Sequence, residues 1–217
     1  MLKICFLTSG GGGNMKFMHL AKQLHKLDGF ELSVIADRDC SAVSFAQAHG
    51  IYAQTIHYKR TEKEALQKLL SQLDPDIIVT TWAKIIDEET VQKYQGKMIN
   101  LHYSLLPAFA GQMGTEPIEN AYKQNCQYIG VTCHYVSEDV DMGTIISQAV
   151  ITTDIPIEKA IEEIFKKGCL ILLNSIMIAS EQRVITYTPT DNFQYAPKLT
   201  FDEQTFDRSF WEALATL

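Results

Sequence analysis

An asparagine and a histidine stand two residues apart at the end of an apolar run, in the segment NLHYSLLP at residues 100–107. Residues 97–101 are predicted to form a short strand, and residues two apart in a strand point to the same face. Asn100 and His102 should therefore face the same space. An amide donates hydrogen bonds without carrying charge, and an imidazole moves protons near neutral pH. The pair suits an oxyanion and a moving proton, although a turn cap beside a satisfied histidine would use the same residue types.

A second polar motif follows in residues 130–148, GVTCHYVSEDVDMGTIISQ. Two apolar runs flank an acidic turn that ends in Gly143, which predicts a hairpin with a long loop. Asp141 lies in this loop, and taken alone it would be interpreted as a turn-forming acid. His134, in the first of the two strands, is interpreted as a satisfied strand histidine.

A glycine-rich segment, residues 9–14, separates the first predicted strand from the first predicted helix. Glycines let a ligand approach the backbone closely, and N–H groups at a helix start attract phosphate. The dinucleotide fingerprint GxGxxG fails because Met15 stands at its third glycine position, and no Walker motif follows. Asp37 could serve as a ribose-binding acid, but a single acid is weak support. The segment is a candidate phosphate loop, with a turn that binds no ligand as the alternative.

Composition limits the class of protein. The chain has 217 residues, 46% of them hydrophobic, enough for one large domain with a core. A net charge of −7 argues against general nucleic-acid binding, because phosphate-backbone affinity depends on Lys and Arg. The sequence has no 18-residue apolar run, so no membrane span is predicted. The N-terminal run is predicted to be a buried strand rather than a secretion signal, so a cytoplasmic location is expected. Five scattered cysteines lack the spacing of a metal or redox site, and nothing in the sequence indicates the oligomeric state.

Strand and helix signals alternate along the chain, which favours a parallel sheet covered by helices. The predicted strands are residues 3–8, 31–36, 52–56, 76–80 and 97–101, followed by the hairpin. The predicted helices are residues 14–27, 41–49, 61–73, 87–94 and 157–180. The sequence TEKE at residue 61 predicts a capping box for the third helix. The predicted fold is α/β: a Rossmann-like, mostly parallel sheet with helices on both faces, a C-terminal hairpin and a long helix.

The motif order NxHxSLLP, then GxTxHxV and DxG, resembles the 10-formyltetrahydrofolate-dependent formyltransferase family. Its members include glycinamide ribonucleotide transformylase, methionyl-tRNA formyltransferase and sugar N-formyltransferases. The resemblance extends to about Ser180 and implies a catalytic domain at residues 1–186 with a C-terminal tail extension at residues 187–217. It implies 10-formyltetrahydrofolate as co-substrate and a small-molecule amine as acceptor. From the charge, the hydropathy and the cysteine spacing, we expect no nucleic-acid partner, no membrane partner and no metal.

The resemblance implies catalytic roles for three residues. Asn100 matches the asparagine that donates to the formyl oxygen and holds negative charge as the carbonyl becomes tetrahedral. His102 matches the histidine that assists the departure of a proton from the attacking amine. Asp141 matches the aspartate that pairs with this histidine and orders a water relay. Because an adjacent carboxylate favours imidazolium, His102 is expected to be charged more often than free histidine.

The resemblance also implies the binding residues. At the ribose phosphate of the acceptor it places the glycine-rich loop, with Gly11, Gly12, Gly13 and Asn14. Around the folate it places Trp82, Ala83, Lys84, Ile85 and Ile86, with Val136 and Val140 in a loop that closes the other side. Trp82 and Ile85 could equally be core residues. Lys59 or Arg60 could meet the glutamate tail of the folate, although basic residues before a helix are commonly solvated.

Of the features of the implied reaction, the identity of the acceptor amine is the one that the sequence constrains least. The chain departs from the glycinamide ribonucleotide enzymes at residues 112–115, where histidines are expected near the substrate phosphate, and at Gly168, where a ribose-binding acid is expected. It is acidic and lacks the second domain of methionyl-tRNA formyltransferase. The first candidate is glycinamide ribonucleotide or a related phosphorylated amine, as in purine biosynthesis. A nucleotide-linked amino sugar or a hydroxylamine is the alternative, and a non-catalytic folate- or nucleotide-binding regulatory module is the alternative of another class.

Overall fold

The computed structural model describes residues 1–181 and 194–217 and divides into two compact units. Unit 1 comprises Met1–Ile99 and Glu203–Leu217, and unit 2 comprises Asn100–Asp202. The predicted domain boundary between residues 186 and 187 lies outside the described residues. The division into catalytic domain and tail extension therefore stays a prediction.

Strands and helices alternate through most of the described chain. In chain order they are β1 (Leu2–Thr8), α1 (Gly13–Gln23), β2 (Phe30–Ala36), α2 (Ser41–Ala48), β3 (Tyr52–Thr55), α3 (Glu64–Leu73), β4 (Ile77–Thr81), α4 (Glu88–Lys93), β5 (Met98–His102), α5 (Glu116–Lys123), β6 (Tyr128–Tyr135), β7 (Ile145–Thr152), α6 (Ile157–Ser180), β8 (Tyr195–Ala196) and α7 (Arg208–Ala215). A 3₁₀ turn at Glu203–Thr205 precedes α7. Strand β5 contributes residues to both units.

In unit 1, strands β1 to β4 are parallel and lie in the order β3-β2-β1-β4. Residues 4–8 of β1 are all buried, as expected for a parallel strand that is covered on both faces. Strand β1 lies between β2 and β4, so the strand order reverses beside it. Ligands of open α/β sheets bind at the carboxyl ends of the strands at such a reversal. The glycine-rich loop, Asp37 and Trp82 follow β1, β2 and β4 directly.

Helix α7 packs on α1 within unit 1 through a cluster of aromatic rings. The Phe17 ring centroid lies 5.1 Å from that of Phe206, 5.5 Å from that of Phe210 and 5.7 Å from that of Trp211. The Asp207 carboxylate caps the helix by accepting from the Phe210 N–H at 3.0 Å. The last part of the predicted tail therefore joins the core of unit 1.

Unit 2 is built on an antiparallel hairpin of β6 and β7, and β8 pairs with the outer side of β7. Helix α6 packs against both hairpin strands. Residues 167–176 of this helix are buried without interruption, so they line the core on every side. The Ser147 and Ser175 hydroxyls share a buried hydrogen bond of 2.6 Å.

The predicted α/β class, the mostly parallel strands, the hairpin and the long helix at residues 157–180 are confirmed. The capping box is wrong, because α3 begins at Glu64 while Thr61 lies in a turn closed by a bridge between Lys59 and Glu62. Helix α1 ends at Gln23, before its predicted end at residue 27, because the N–H groups of residues 26 and 27 turn back to the Ala21 carbonyl. Helix α5 was not predicted.

Candidate active site

His102, at the end of β5, has an oxygen atom beside each ring nitrogen. Its Nδ1 lies 3.3 Å from Oδ2 of Asp141, and its Nε2 lies 3.1 Å from the carbonyl oxygen of Phe109. The side chains of His102 and Asp141 are 6% and 11% exposed, so water screens their interaction poorly. The structure thus brings together the histidine and the aspartate that the sequence placed in one site.

The backbone around Asp141 accounts for the DxG motif. Asp141 has φ of 57°, a left-handed conformation in which aspartate is better tolerated than most residues. Its Oδ2 accepts the Gly111 N–H at 2.7 Å, which fixes the carboxylate beside His102. A Cβ on Gly143 would lie 1.6 Å from the Tyr135 carbonyl oxygen, so only glycine fits this position. The structure therefore explains why Asp141 and Gly143 occupy the two defined positions of the DxG motif.

His134, in β6, faces the other oxygen of the same carboxylate. Its Nε2 lies 3.5 Å from Oδ1 of Asp141, and its Nδ1 lies 2.9 Å from the Tyr135 carbonyl oxygen. Nε2 is buried and makes no hydrogen bond to any residue in 1–181 or 194–217. His134 is therefore hydrogen-bonded through Nδ1, while its Nε2 faces the Asp141 carboxylate at a longer distance, so its interpretation as a satisfied strand histidine stays a prediction. Only its place in the GxTxHxV motif hinted at a role.

The charge states of this cluster differ from the expectation. Burial lowers the pKa of His102, and this exceeds the rise that the Asp141 carboxylate and the Phe109 carbonyl cause. The expectation that His102 is charged more often than free histidine is therefore wrong in direction. Burial raises the pKa of Asp141, but His134, the Gly111 N–H and His102 together hold it below its ordinary value. A neutral imidazole beside an ionised carboxylate is the arrangement of a general base.

Asn100 lies two residues before His102 on β5 and is partly exposed. Alternation along the strand puts its side chain on the same face as that of His102. In this position an amide N–H can donate to an oxyanion while the imidazole receives a proton.

A buried threonine fixes the loop that follows β5. The Thr132 hydroxyl donates to the Ser104 carbonyl at 2.7 Å and accepts from the Leu106 N–H at 3.1 Å and from Nε2 of Gln148 at 3.0 Å. This hydroxyl is saturated and fully buried. It anchors the start of the loop whose Phe109 carbonyl contacts His102.

The glycine-rich loop lies in unit 1, and its glycines have different surroundings. Gly12 has φ of 67°, and a Cβ there would lie 2.7 Å from the Cβ of Ala42, so this glycine permits close packing of α1 and α2. A Cβ on Gly10 would meet nothing within 4 Å, and one on Gly11 would meet only Oγ of Ser41 at 4.0 Å. Gly13 begins α1, and Asn14 is buried behind it. Open space therefore adjoins Gly10 and Gly11.

The predicted folate segment, residues 82–86, is tied to this loop within unit 1. The Ala83 N–H donates to Oγ of Ser9 at 2.9 Å, and the Tyr58 ring lies 4.7 Å from the Trp82 ring. Trp82 and Ile86 are buried, whereas residues 83–85 are exposed. In unit 2, Val140 is exposed and Val136 is half-buried. The exposed backbone of residues 83–85 could read the edge of a heterocycle.

Asp37 follows β2 and is the most enclosed charge of this region, with a side chain only 1% exposed. Arg38 donates to both carboxylate oxygens, at 3.1 and 2.7 Å, and Nζ of Lys84 lies 4.0 Å away. Burial raises the pKa of Asp37, but contacts from Arg38, Ser9 and Trp82 hold it below its ordinary value. The sequence offered Asp37 only as a weak ribose-binding candidate, and in the structure it is paired with Arg38 through both of its oxygens.

The two basic candidates for the folate tail are both paired with carboxylates. Nζ of Lys59 lies 2.7 Å from Glu62, and Nη2 of Arg60 lies 2.8 Å from Glu88. Both pairs are exposed, so they hold these side chains only weakly.

Residues 112–115 and Gly168, where the sequence departs from the pattern of the glycinamide ribonucleotide enzymes, make contacts that the structure describes. Gln112 accepts from Nδ2 of Asn120 at 3.0 Å, and Met113 is 58% exposed. A Cβ on Gly168 would lie 3.2 Å from Cδ2 of Leu101 and 3.3 Å from Cε1 of Tyr103. Gly168 therefore permits close packing of α6 on the residues that flank His102 in sequence.

In the described part of the chain, no helix combines the length and the apolar character needed to cross a membrane. Residues 1–181 and 194–217 contain no group of three or more His, Cys, Asp or Glu side chains that could hold a metal ion.

Comparison with known proteins gives matches over most of the chain. A family model described as "Formyl transferase" matches residues 2–168. Phosphoribosylglycinamide formyltransferase of Bacillus subtilis is 29% identical over 161 residues, which cover 71% of this chain and 81% of the relative. Formyltetrahydrofolate deformylase of Escherichia coli is 36% identical over 102 residues, which cover 45% of this chain. The matches with this deformylase and that of Haemophilus influenzae span only about a third of those relatives, 35% and 31%.

Solved structures agree with these matches. Glycinamide ribonucleotide transformylase 1 of Symbiobacterium toebii superposes with a TM-score of 0.76 at 25% identity and covers 86% of this chain and 91% of its own. Phosphoribosylglycinamide formyltransferase of Coxiella burnetii superposes with a TM-score of 0.74 at 28% identity and covers 90% and 92%.

Proposed function

Because the chain belongs to the formyl transferase family, we propose that it transfers the formyl group of 10-formyltetrahydrofolate to a small-molecule amine. The observation that carries the proposal is the buried contact between His102 and Asp141, with Asn100 on the same strand face. These three side chains supply the donor and the base that formyl transfer requires. A folate-binding regulatory module would need neither.

The proposed reaction starts with attack of the amine nitrogen on the formyl carbon. A new C–N bond forms, and the carbonyl oxygen takes negative charge that the Asn100 amide stabilises by donating a hydrogen bond. Neutral His102 accepts a proton from the attacking nitrogen, and the Asp141 carboxylate stabilises the resulting imidazolium. The bond between the formyl carbon and N10 of the folate then breaks. The proton ends on N10, which leaves tetrahydrofolate and the formylated amine.

For the acceptor we propose glycinamide ribonucleotide or a related phosphorylated amine. Relatives named phosphoribosylglycinamide formyltransferase align with most of the chain, and the space at Gly10 and Gly11 would admit a phosphate at the start of α1. This acceptor would put the reaction in purine biosynthesis, in the cytoplasm. A nucleotide-linked amino sugar or a hydroxylamine is the alternative, because residues 112–115 lack the expected histidines.

Hydrolysis of the formyl donor is a second candidate reaction. The 36% identity to the Escherichia coli deformylase exceeds the identity to the transformylases, although it covers less of the chain. In this reaction water would take the place of the amine, and the same His102 would receive its proton.

The deciding experiment is to incubate the protein with 10-formyltetrahydrofolate and follow tetrahydrofolate and formate, with and without each amine of a panel. Tetrahydrofolate release that depends on glycinamide ribonucleotide supports the proposal, and dependence on an amino sugar or hydroxylamine corrects the acceptor. Equal formate release without any amine supports the deformylase. Tight binding of a folate analogue without turnover would favour the regulatory module. A His102→Ala variant serves as the control for contaminating activity.

A further inference from the structure

Two histidines share one carboxylate in unit 2. Each oxygen of Asp141 faces one imidazole: Oδ2 faces Nδ1 of His102 at 3.3 Å, and Oδ1 faces Nε2 of His134 at 3.5 Å. The remaining ring nitrogens face backbone carbonyls, those of Phe109 at 3.1 Å and Tyr135 at 2.9 Å. All four ring nitrogens therefore lie beside oxygen acceptors.

Proton counting shows that this arrangement is short of protons. A neutral imidazole carries one N–H, so two neutral rings can donate at only two of the four positions. Each remaining nitrogen then turns a lone pair toward an oxygen, which is repulsive. One added proton on either ring converts one of these repulsive contacts into a donor–acceptor contact and gives that ring a positive charge. A single carboxylate lies between the rings to balance that charge.

Within residues 1–181 and 194–217, few charged groups lie beside the His134 ring. The His134 side chain is 3% exposed, and the charged or titratable groups that face it are Asp141 in the hairpin loop and His102 at the end of β5. Its strand contributes the Tyr135 carbonyl, and backbone of Gly143 lies against the ring. Glu138 and Asp139 belong to the same loop, but both are exposed.

We propose that His134 is a positioning residue for the proposed formyl transfer: it competes with His102 for the carboxylate of Asp141 and so controls when His102 holds a proton. This inference rests on the proposed function only for its consequence in catalysis. A charged His134 draws Asp141 toward itself and opposes a second positive charge on His102. Consistently, His134 lowers the pKa of His102, and both histidines lower the pKa of Asp141.

The competition keeps His102 available as a base. With His134 in place, His102 loses its proton at lower pH than Asp141 alone would allow. When His102 takes a proton from the amine, His134 can yield its share of Asp141 to the new imidazolium. The proton on His102 should then depend on His134 as well as on Asp141.

The first test needs no variant and no substrate. In an NMR titration of the wild-type protein, the ring resonances of His102 should follow a two-step curve, because a second group competes for the Asp141 carboxylate. If the His102 resonances follow a one-step curve, the inference is overturned.

The second test compares two substitutions of opposite sign. In His134→Gln the side-chain amide keeps a donor near Asp141 but carries no charge, so the pKa of His102 should rise. Asp141→Asn should lower it. His57→Gln is the matched control, because His57 is exposed and pairs only with Glu62 among the contacts described. An unmoved His102 titration in His134→Gln overturns the inference.

The kinetic readout is the pH profile of kcat/KM, which reports the pKa values of the essential acid and base in the free enzyme. His134→Gln should move the basic-form limb to higher pH, with up to about tenfold lower activity below it and wild-type activity above it. A merely structural defect would lower activity at every pH. Should the NMR shift appear without formyl transfer to any amine, the proposed function fails while the inference holds. Should transfer occur with an unshifted limb and titration, the inference alone fails.

Discussion

The two polar regions of this protein handle buried charge in opposite ways. At the strand ends of unit 1, Asp37 is paired with a permanent cation: Arg38 donates to both of its oxygens, and Nζ of Lys84 lies 4.0 Å away. In unit 2, Asp141 lies between two imidazoles that lack the protons to satisfy every acceptor around them. The first carboxylate is held by its arginine partner, and the second lies where the proposed reaction would move a proton.

Backbone conformation follows the same division. Two non-glycine residues with positive φ, Phe109 at 58° and Asp141 at 57°, are the direct partners of His102. Such conformations cost free energy and cluster at functional sites. In the glycine-rich loop of unit 1, the one positive φ belongs to Gly12, where it costs little. The other described non-glycine residues with positive φ, His25, Asp74 and Asn125, lie at the C-terminal ends of helices, where this conformation is common. A helix end does not explain the two beside His102.

The largest expected effect comes from removing the base. His102→Ala should lower kcat by about 10²–10⁴-fold, because proton transfer would lose its acceptor. The affinity for a folate analogue should stay within a few-fold, because His102 acts on the transition state more than on the ground state. Steady-state kinetics and a binding titration measure the two quantities. Near-normal turnover in the folded variant would contradict the assignment of His102.

Asn100→Asp should produce the next largest loss. The substitution keeps the size of the side chain but replaces a donor with a carboxylate where negative charge develops. We expect at least about 10²-fold lower kcat, the scale seen for oxyanion donors. Asn100→Ala, which removes the donor without adding charge, should lose less. If the two variants lose the same activity, charge development beside Asn100 is not part of the reaction.

Asp141→Asn should have a smaller effect on rate and a distinct effect on pH dependence. Asparagine tolerates the left-handed conformation at this position, so the fold should be retained. The Asp141 carboxylate raises the pKa of His102, and its removal should therefore shift the His102 limb of the kcat profile to lower pH. The rate should fall by roughly tenfold, because the imidazolium formed in the reaction loses its counter-charge. An unchanged profile and rate would make Asp141 a turn residue.

The spacing of apolar residues within each segment was enough to predict most of the strands and helices. Alternating apolar runs gave the strands, and the period of residues 157–180 gave α6 with its observed limits. Helix α5 escaped prediction because its eight residues are too few for a convincing apolar period, and Pro117, which suits the first turn of a helix, was not interpreted as a start signal. The capping box failed because the turn at residues 59–62 competes for the same residues. Short elements are decided by contacts that the local sequence does not show.

The candidate site could be predicted only in part, for a similar reason. His102 and Asp141 stood out by residue type and motif order, and the structure brings them together. The role of His134 depends on a distance across the hairpin loop, and the direction of the pKa shift of His102 depends on burial. Neither quantity has a sequence signal. Glycine is needed at positions 12 and 143 because the fold brings Ala42 and the Tyr135 carbonyl close to them, and the local sequence does not show these contacts.

The smallest expected effect tests the glycine-rich loop of unit 1, and the structure shows which glycine to use. Gly12 is a poor probe, because a side chain there meets Ala42 in a left-handed conformation. Gly12→Ala should therefore cost roughly 1–3 kcal/mol of stability whatever the loop binds. Thermal unfolding would measure this loss.

Gly11→Ala is the informative substitution, because its Cβ enters open space and should leave the melting temperature unchanged. If the loop holds a phosphate, the added methyl group crowds the ligand and should raise KM for a phosphorylated acceptor several-fold, while KM for the folate stays the same. Gly10→Ala, equally open in the structure, shows whether the effect is local to one N–H group. If the best acceptor carries no phosphate and both variants bind it normally, the loop is only a strand-to-helix turn. In that case the glycine-rich loop of unit 1 would not be a phosphate-binding site, and any ligand of this region would be of another kind.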